Sequence, residues 1–203
     1  MIKAIVLDIG GVLLRTEDRS DRQMLEKKHN LAPGGADDLV FNSRPAAKST
    51  VGQVERDKIW QHVAEELSLT PQELEAFKLA FWQGDHIDQE LLSYLKTLKS
   101  SYKTALLSNA WMGTRQVLAD QYQIIEGLTV DHILISSELG IAKPNQRIYH
   151  ILSDTIQCDF NQILFVDDFI ENIQAAKALG IRTIHYQPGK DLITLIQSEL
   201  DHH

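Results

Sequence analysis

The stretch Ile5-Val-Leu-Asp8-Ile-Gly-Gly-Val-Leu-Leu14, near the start of the 203-residue chain, is the strongest indication of the fold. Its first residues form a continuous apolar run, which is typical of a strand covered on both faces in a parallel sheet. The run ends in a carboxylate, Asp8, and then in paired glycines, which let the backbone turn sharply. The stretch therefore predicts a buried strand that carries a polar group at its carboxyl end.

Further short runs rich in β-branched residues follow this one along the chain. Together they predict strands at Lys3–Leu7, Lys103–Leu107, Ile133–Ser136, Ile163–Val166 and Arg182–His185. Helical patterns follow the last four, at Thr114–Tyr122, Asn145–Ile156, Ile170–Leu179 and Leu192–Leu200. This alternation predicts an α/β fold, with a doubly wound, mainly parallel and Rossmann-like sheet.

One long segment interrupts the alternation. Between about Arg15 and His86 we find no convincing strand pattern, and the residues instead favour helices at Asp18–His29, Ala36–Asn42, Val54–Leu67 and Pro71–Trp82. Thr70-Pro71-Gln-Glu73 is a capping box with proline at the first helical position. We therefore predict an α/β core at residues 1–14 and 87–203, with a small all-helical insertion, a cap, at residues 15–86.

Composition excludes several classes of protein. The net charge of −8 and the pI of about 5.4 argue against a nucleic-acid partner, which would leave a basic footprint. The single cysteine, Cys158, cannot form an intramolecular disulfide, which fits a reducing compartment, and we expect a cytoplasmic protein. No apolar run is long enough to cross a bilayer, so no membrane partner is expected. The oligomeric state cannot be deduced from these features.

Polar residues follow four of the predicted strands. Asp8 ends the first strand, Ser108-Asn109 the second and Asp167-Asp168 the fourth, while Lys143-Pro144 comes shortly after the third. Each of these features alone fits a turn, a helix cap or a solvated side chain. Ligands bind at the carboxyl ends of strands in open parallel sheets, so the complete set indicates a site.

The residue types suit phosphoryl transfer. A carboxylate such as Asp8 can attack phosphorus and form an acyl phosphate, which divides one difficult step into two. Mg²⁺ prefers oxygen ligands and commonly uses one or two carboxylates together with the phosphate, and Asp8 and Asp168 can supply them. Lys143 and Ser108 can then neutralise or hydrogen-bond the phosphate oxygens.

These segments resemble the motifs of the haloacid dehalogenase superfamily over the whole chain. Leu7-Asp-Ile-Gly-Gly-Val-Leu13 resembles the first motif, Leu106-Leu-Ser-Asn109 the second and Lys143-Pro144 the lysine motif. Phe165-Val-Asp-Asp-Phe-Ile-Glu-Asn172 resembles the fourth motif. The resemblance implies an Mg²⁺-dependent phosphatase, with a helical cap inserted after the first motif.

The resemblance also implies a role for each residue. Asp8 would be the nucleophile, assisted by Lys143 as the second catalytic residue. Mg²⁺ would be held by Asp8, the Gly10 carbonyl and Asp168, with Asp167 acting through a metal-bound water. The phosphate would contact Gly11, Ser108, Asn109 and Lys143, and Asn172 would support the loop or Lys143. A flexible turn around residues 12–17 would let the cap move.

Gly10 departs from the family pattern, because most family phosphatases carry there a second Asp that serves as general acid and base. Such help is worth ~10²–10⁴-fold in rate. Glu17, Asp18 or a cap residue are candidate replacements. Two rivals stay open: a metal-free 2-haloacid dehalogenase and a catalytically weak regulatory or binding protein on the same fold.

The predicted substrate is a small phosphorylated metabolite that fits a closed chamber. Glycine at position 10 also occurs in members of the family that resemble sugar-phosphate phosphatases, so a sugar phosphate is one candidate. Four aromatic residues on helical patterns, Trp60, Phe77, Phe81 and Trp82, are expected to form the core of the cap rather than a substrate platform. Arg44 and Lys48, in the break between two cap helices, are candidates for contacting a second anionic group.

Overall fold

A computed structural model of the chain, which describes residues 1–201, has a parallel five-stranded sheet at its centre. The strands of this sheet are β1 Ala4–Leu7, β4 Lys103–Ser108, β5 His132–Ile135, β6 Ile163–Asp167 and β7 Arg182–His185. Their spatial order is β5-β4-β1-β6-β7, so β1 lies in the middle with parallel neighbours on both sides. The predicted fold class is therefore confirmed.

Both faces of the sheet are buried, which explains the continuous apolar runs. Successive side chains of a strand point to opposite faces. Along β1, Ile5 and Leu7 therefore join one hydrophobic cluster, while Ala4 and Val6 join the other. Helices cover each face, so every residue of β1 is fully buried.

Helices connect the strands of the core. They are α6 Gln89–Leu98, α7 Thr114–Tyr122, α8 Ser136–Leu139, α9 Gln146–Ile156, α10 Ile170–Ala178 and α11 Leu192–Asp201. A short 3₁₀ helix, Phe160–Gln162, precedes β6. Helices α6, α7 and α11 contribute buried side chains to one cluster, and α9 and α10 to the other. Within residues 1–201, no helix has both the length and the apolar character needed to span a membrane.

The long segment after β1 folds into five helices. They are α1 Ser20–Lys28, α2 Gly35–Phe41, α3 Arg44–Thr50, α4 Asp57–Leu67 and α5 Pro71–Trp82. They enclose a hydrophobic cluster of their own, in which Trp60, Phe77 and Phe81 are buried. The predicted capping box at the start of α5 is present, because Thr70 Oγ1 accepts from the Glu73 amide while the Glu73 carboxylate accepts from the Thr70 amide.

The structure differs from the sequence-based prediction at both junctions of this insertion. Two short strands, β2 Leu14–Thr16 and β3 Asp85–Ile87, pair antiparallel there, where no strand was predicted. The predicted boundaries at residues 14/15 and 86/87 fall inside this ribbon. The predicted flexible turn at residues 12–17 likewise overlaps β2. Strands of three residues are too short to show an alternating pattern.

Two helix predictions were also wrong in detail. Arg44 and Lys48 were placed in a break between helices, yet they belong to α3, which Ser43 caps by accepting from the Ala46 amide. The helix predicted to begin at Asn145 begins instead at Gln146, and Asn145 is its N-cap. Pro144 lies before the cap and follows Lys143 through a cis peptide bond.

Candidate active site

The carboxyl ends of the three central strands bring the predicted residues together. Asp8 follows β1, Ser108 ends β4, and Asp167 ends β6, so all three lie at one edge of the sheet. A cavity of about 1490 Å³ opens from this edge toward the helical insertion. Asp8, Ser108, Lys143 and Asp168 all line that cavity.

Lys143 is the buried cation at the centre of the site. Its ammonium lies 3.0 Å from Asp8 Oδ2 and 2.7 Å from Asp167 Oδ2, and it donates to the Leu107 carbonyl at 2.8 Å. The side chains of Lys143 and Asp167 are fully buried. Three acceptors use the three donors of an ammonium group, so the position of this charge is fixed.

Asp167 orients Lys143 and is itself held on its other side. Asn172 Nδ2 lies 3.0 and 3.1 Å from the two carboxylate oxygens, and the Phe169 amide donates to Asp167 Oδ1 at 2.8 Å. Sequence reasoning gave Asn172 a supporting role toward the loop or Lys143. In the structure Asn172 contacts the Asp167 carboxylate, which in turn contacts Lys143. Asn172 therefore supports Lys143 indirectly.

Asn109 lines the cavity, and its side-chain amide is bound to the main chain of Lys143. Its Oδ1 accepts from the Lys143 amide at 2.8 Å, and its Nδ2 donates to the Lys143 carbonyl at 2.8 Å. Because both polar ends of the amide are engaged, Asn109 positions the main chain of Lys143, and its contact with phosphate stays a prediction. Sequence reasoning missed this role because residues 109 and 143 are far apart along the chain.

Three carboxylates at this edge are grouped closely enough to hold a metal. Single oxygens of Asp8, Asp167 and Asp168 all lie within 4.8 Å of one another. Asp168 Oδ1 is buried without a hydrogen-bond partner among the described residues. A buried, unpaired carboxylate oxygen is costly, and a cation would satisfy it. An oxygen-only ligand set is the one that Mg²⁺ prefers, so the residues fit this metal.

The pKa values of Asp8 and Asp168 are both raised by burial and by the nearby charge of Asp167. The pKa of Asp8 is raised to about 7, chiefly by burial, with Lys143 lowering it and the charge of Asp167 raising it. Burial also raises the pKa of Asp168, again together with the charge of Asp167. The site thus holds more negative charge than one ammonium balances, and a divalent cation would favour the ionised carboxylates.

The two glycines after Asp8 have different surroundings. Gly11 has a φ of +74°, and a Cβ there would lie 2.1 Å from Asp168 Oδ2. A Cβ built at Gly10 meets nothing within 4 Å, and the backbone there is outside the left-handed region. Position 11 therefore requires glycine, whereas position 10 has room for a side chain that faces open space.

This contrast gives a prediction about stability. We expect Gly11→Ala to lower the free energy of unfolding by about 2–4 kcal/mol, because it combines a strained backbone with a clash against Asp168. Gly10→Ala is the matched control and should stay within about 1 kcal/mol of the wild type. Urea unfolding of the two variants measures the difference. Equal values would contradict the close packing of Gly11 on Asp168.

Some of the remaining residues singled out in the sequence line the cavity, and others lie outside it. Glu17 lines the cavity but pairs with Arg15 at 3.6 Å, whereas Asp18 caps the Ser20 amide and is not among the lining residues. Arg44 and Lys48 are absent from the lining, so the cavity gives no support to their predicted contact with a second anionic group. Trp82, predicted to lie in the cap core, is 36% exposed and lines the cavity.

Comparison with known proteins identifies the family. Residues 2–180 match the sequence profile of the haloacid dehalogenase-like hydrolases. The chain belongs to this family, as the sequence motifs predicted.

Individual relatives agree with this assignment. A D-ribitol-5-phosphate phosphatase from Bacteroides thetaiotaomicron is 26% identical over 94% of this chain and 95% of its own length. The bifunctional epoxide hydrolase 2 of Mus musculus is 30% identical over 42% of this chain, and that match spans only 16% of the mouse protein. A haloacid dehalogenase family enzyme from B. thetaiotaomicron, crystallised with magnesium and inorganic phosphate, superposes with a TM-score of 0.77 at 20% identity. That superposition covers 96% of this chain and 99% of the other, and it establishes a shared fold.

Proposed function

We propose that this hydrolase is an Mg²⁺-dependent phosphatase that acts on a small phosphorylated metabolite through an aspartyl-phosphate at Asp8. The observation that carries the proposal is the grouping of Asp8, Asp167 and Asp168 around a fully buried lysine, with Asp168 Oδ1 left unpaired. The D-ribitol-5-phosphate phosphatase among the relatives, which matches nearly the whole chain, supports the same chemistry.

The contacts of Asp8 support its proposed role as the nucleophile. Its Oδ1 accepts from the Ile9 amide at 2.6 Å, and its Oδ2 faces Lys143, so the carboxylate is held from both ends. One carboxylate oxygen bonds to phosphorus while the bond from phosphorus to the leaving oxygen breaks, and that oxygen takes the electron pair. Water then attacks phosphorus, the bond to Asp8 breaks, and inorganic phosphate leaves with the carboxylate restored.

The neighbouring groups stabilise the charge that is transferred. Lys143 supplies a fixed positive charge beside Asp8, and we assign Ser108 and the Gly11 backbone to hydrogen bonds with the phosphate oxygens. Asp8, the Gly10 carbonyl and Asp168 would hold Mg²⁺ directly, and Asp167 through water. When bound, the metal would shield the attacking carboxylate from the negative phosphate and spread the developing charge.

The same residues argue against the two rivals. A metal-free dehalogenase has no use for an unpaired, buried Asp168 oxygen beside two further carboxylates. A protein that only binds would not need a nucleophile whose position is fixed by Lys143. A phosphate-release screen over a library of metabolites, with Mg²⁺ and with excess chelator, separates these possibilities. Sugar phosphates belong in that screen, because the ribitol-phosphate relative covers the chain almost completely.

Metal binding is testable without turnover. We expect Mg²⁺ to raise the melting temperature of the wild type, with a stabilisation of about 2.7 kcal/mol at a concentration 100 times the Kd. Asp168→Asn removes a charged ligand and should abolish most of that response. Asp154→Asn, an exposed carboxylate on α9, is the control and should respond like the wild type. An unchanged response in Asp168→Asn would contradict the ligand assignment.

A further inference from the structure

Three aromatic side chains, Phe41, Trp82 and Trp111, form a surface inside the cavity that we call the aromatic wall. Their ring centroids are 5.5 Å apart for Phe41 and Trp111, 5.8 Å for Phe41 and Trp82, and 6.2 Å for Trp82 and Trp111. Phe41 and Trp82 are 40% and 36% exposed, yet both line the cavity. The wall is therefore apolar surface that faces the space where a substrate would bind.

The aromatic wall is connected to the phosphate end of the cavity. Trp111 lies in the loop that follows Ser108 at the end of β4, while Phe41 and Trp82 come from the helical insertion. A small substrate anchored at Asp8 would thus have its leaving group between the strand ends and the insertion. Aromatic rings prefer offset-stacked or edge-to-face partners, and such pairs add affinity beyond the area they bury.

The charges of the cavity disfavour a second anionic group on the substrate. Nine carboxylates line the cavity, against five lysine and arginine side chains. Arg15 pairs with Asp88, Arg19 with Asp37, and Arg22 with Asp37 and Asp85. Lys143 is held by Asp8 and Asp167, and Lys190 belongs to the exposed segment after β7. The three arginines that line the cavity therefore already have their counterions.

The cavity also offers no buried carboxylic acid for the leaving oxygen beyond the Asp8 and Asp168 pair, within the part of the chain that the structure describes. Position 10, beside the nucleophile, is glycine and faces open space. The other lining carboxylates are paired with arginine or exposed to solvent: Glu17, Asp37, Asp85, Asp88, Glu90, Glu171 and Asp191. The hydroxyl of Tyr186 also lines the cavity, where it accepts from Arg15 Nη1 at 3.3 Å.

We propose that the preferred substrates are aryl phosphate monoesters whose phosphate is their sole anionic group. This inference rests on the phosphatase function proposed above and specifies the class of substrate. The aryl ring packs against the aromatic wall. When Asp8 attacks phosphorus, the bond to the aryl oxygen breaks, the electron pair stays on that oxygen, and a phenolate departs and takes its proton from solvent. A phenol has a pKa of about 10, so its anion leaves without a protein acid. An alkoxide is a much stronger base than a phenolate, so without a proton donor it leaves far less readily.

Three substrates separate the effect of the leaving group from that of the wall. Phenyl phosphate and benzyl phosphate both carry a ring, but only the first has a phenolic leaving oxygen. Benzyl phosphate and D-ribitol 5-phosphate are both alkyl esters, but only the first carries a ring. We expect kcat/KM to fall on the order of 10²-fold or more from phenyl to benzyl phosphate. It should fall by about a further tenfold from benzyl to ribitol phosphate.

Variants of the wall test the ring contact. Trp82→Ala should lower kcat/KM by about tenfold for both ring-bearing esters and change it by less than about twofold for ribitol phosphate. Trp82→Phe should restore much of the loss. Leu79→Ala, on the same helix at a position 72% exposed and outside the cavity, is the control for effects on the fold and should match the wild type.

Variants near the leaving oxygen test the missing acid. Gly10→Asp places a carboxyl group in open space beside Asp8 and should raise kcat for benzyl and ribitol phosphates at least tenfold more than for phenyl phosphate. Tyr186→Phe should affect the three esters equally. A selective loss on the two alkyl esters in Tyr186→Phe would show that Tyr186 supplies the proton and would overturn the proposal.

The two proposals fail in different ways. Comparable kcat/KM values for all three esters, or a preference for ribitol phosphate, would overturn the aryl assignment and leave the phosphatase function intact. If none of the esters or library metabolites released phosphate in an Mg²⁺-dependent manner that Asp8→Asn removes, both proposals would be wrong.

Discussion

Asp8→Asn should abolish Mg²⁺-dependent phosphate release, with a loss on the order of 10⁴-fold or more. The amide is a poor nucleophile, cannot form the acyl phosphate, and carries no charge to help hold the metal. The loss should appear in kcat, because the phosphate would still meet Lys143, Ser108 and the Gly11 backbone.

The melting temperature of Asp8→Asn shows whether the variant is still folded. Asp8 is buried beside Lys143, and its carboxyl pKa is already raised to about 7 by burial, so a neutral side chain of the same shape is expected to be tolerated. The melting temperature of Asp8→Asn should therefore lie close to that of the wild type. Activity that persists in a folded Asp8→Asn protein would contradict the assignment of the nucleophile.

Lys143→Met should have the largest effect on stability. The ammonium lies between Asp8 and Asp167, both buried, and removing it leaves two carboxylates facing each other without a counterion. Breaking a buried ion pair in this way costs about 3–5 kcal/mol. Activity should be lost as well, because the same charge neutralises the phosphate. Chemical denaturation without Mg²⁺ measures the change in the free energy of unfolding.

A surface lysine provides the comparison. Lys96, exposed on α6, can be changed to Met with an expected effect within about 0.5 kcal/mol. Added Mg²⁺ should recover part of the stability lost in Lys143→Met, because a divalent cation supplies positive charge to the same carboxylates. If both substitutions destabilised the protein equally, the central charge balance described for the site would be wrong.

The sequence predicted the core and the chemical groups of the site because both depend on local patterns. Buried strands of a parallel sheet are continuously apolar, and polar residues at their ends, such as Asp8 and Asp167, are therefore conspicuous. Since the carboxyl ends of parallel strands meet at one edge, the strand order was not needed to expect these residues to be near each other.

What the sequence did not predict depends on contacts between distant residues. Asn109 holds the main chain of Lys143, and Arg22 pairs with Asp85 across 63 positions of the chain. Neither contact leaves a periodic pattern. The position of Trp82 on the cavity was missed for a similar reason, since a helical pattern shows that a side chain is apolar but not whether it faces a core or a cavity.

The sequence-based prediction also missed the shortest strands and helix. The strands β2 and β3 have three residues each, and α3 has seven, so none of them is long enough to show a clear periodicity. The signal for α3 was present as a local motif, because Ser43 is a good N-cap and Pro45 lies in the first turn. The N-cap serine and the first-turn proline would have predicted this helix, which hydrophobic periodicity did not reveal.

The covalent step at Asp8 is tested most directly by the stereochemistry at phosphorus. Each in-line displacement inverts the configuration, so attack by Asp8 followed by attack of water gives two inversions and net retention. A monoester made chiral at phosphorus with oxygen isotopes, turned over with Mg²⁺ and an acceptor alcohol, reports the outcome even if the intermediate never accumulates. The mechanism predicts retention. Inversion would show direct transfer to the acceptor and would contradict the aspartyl-phosphate.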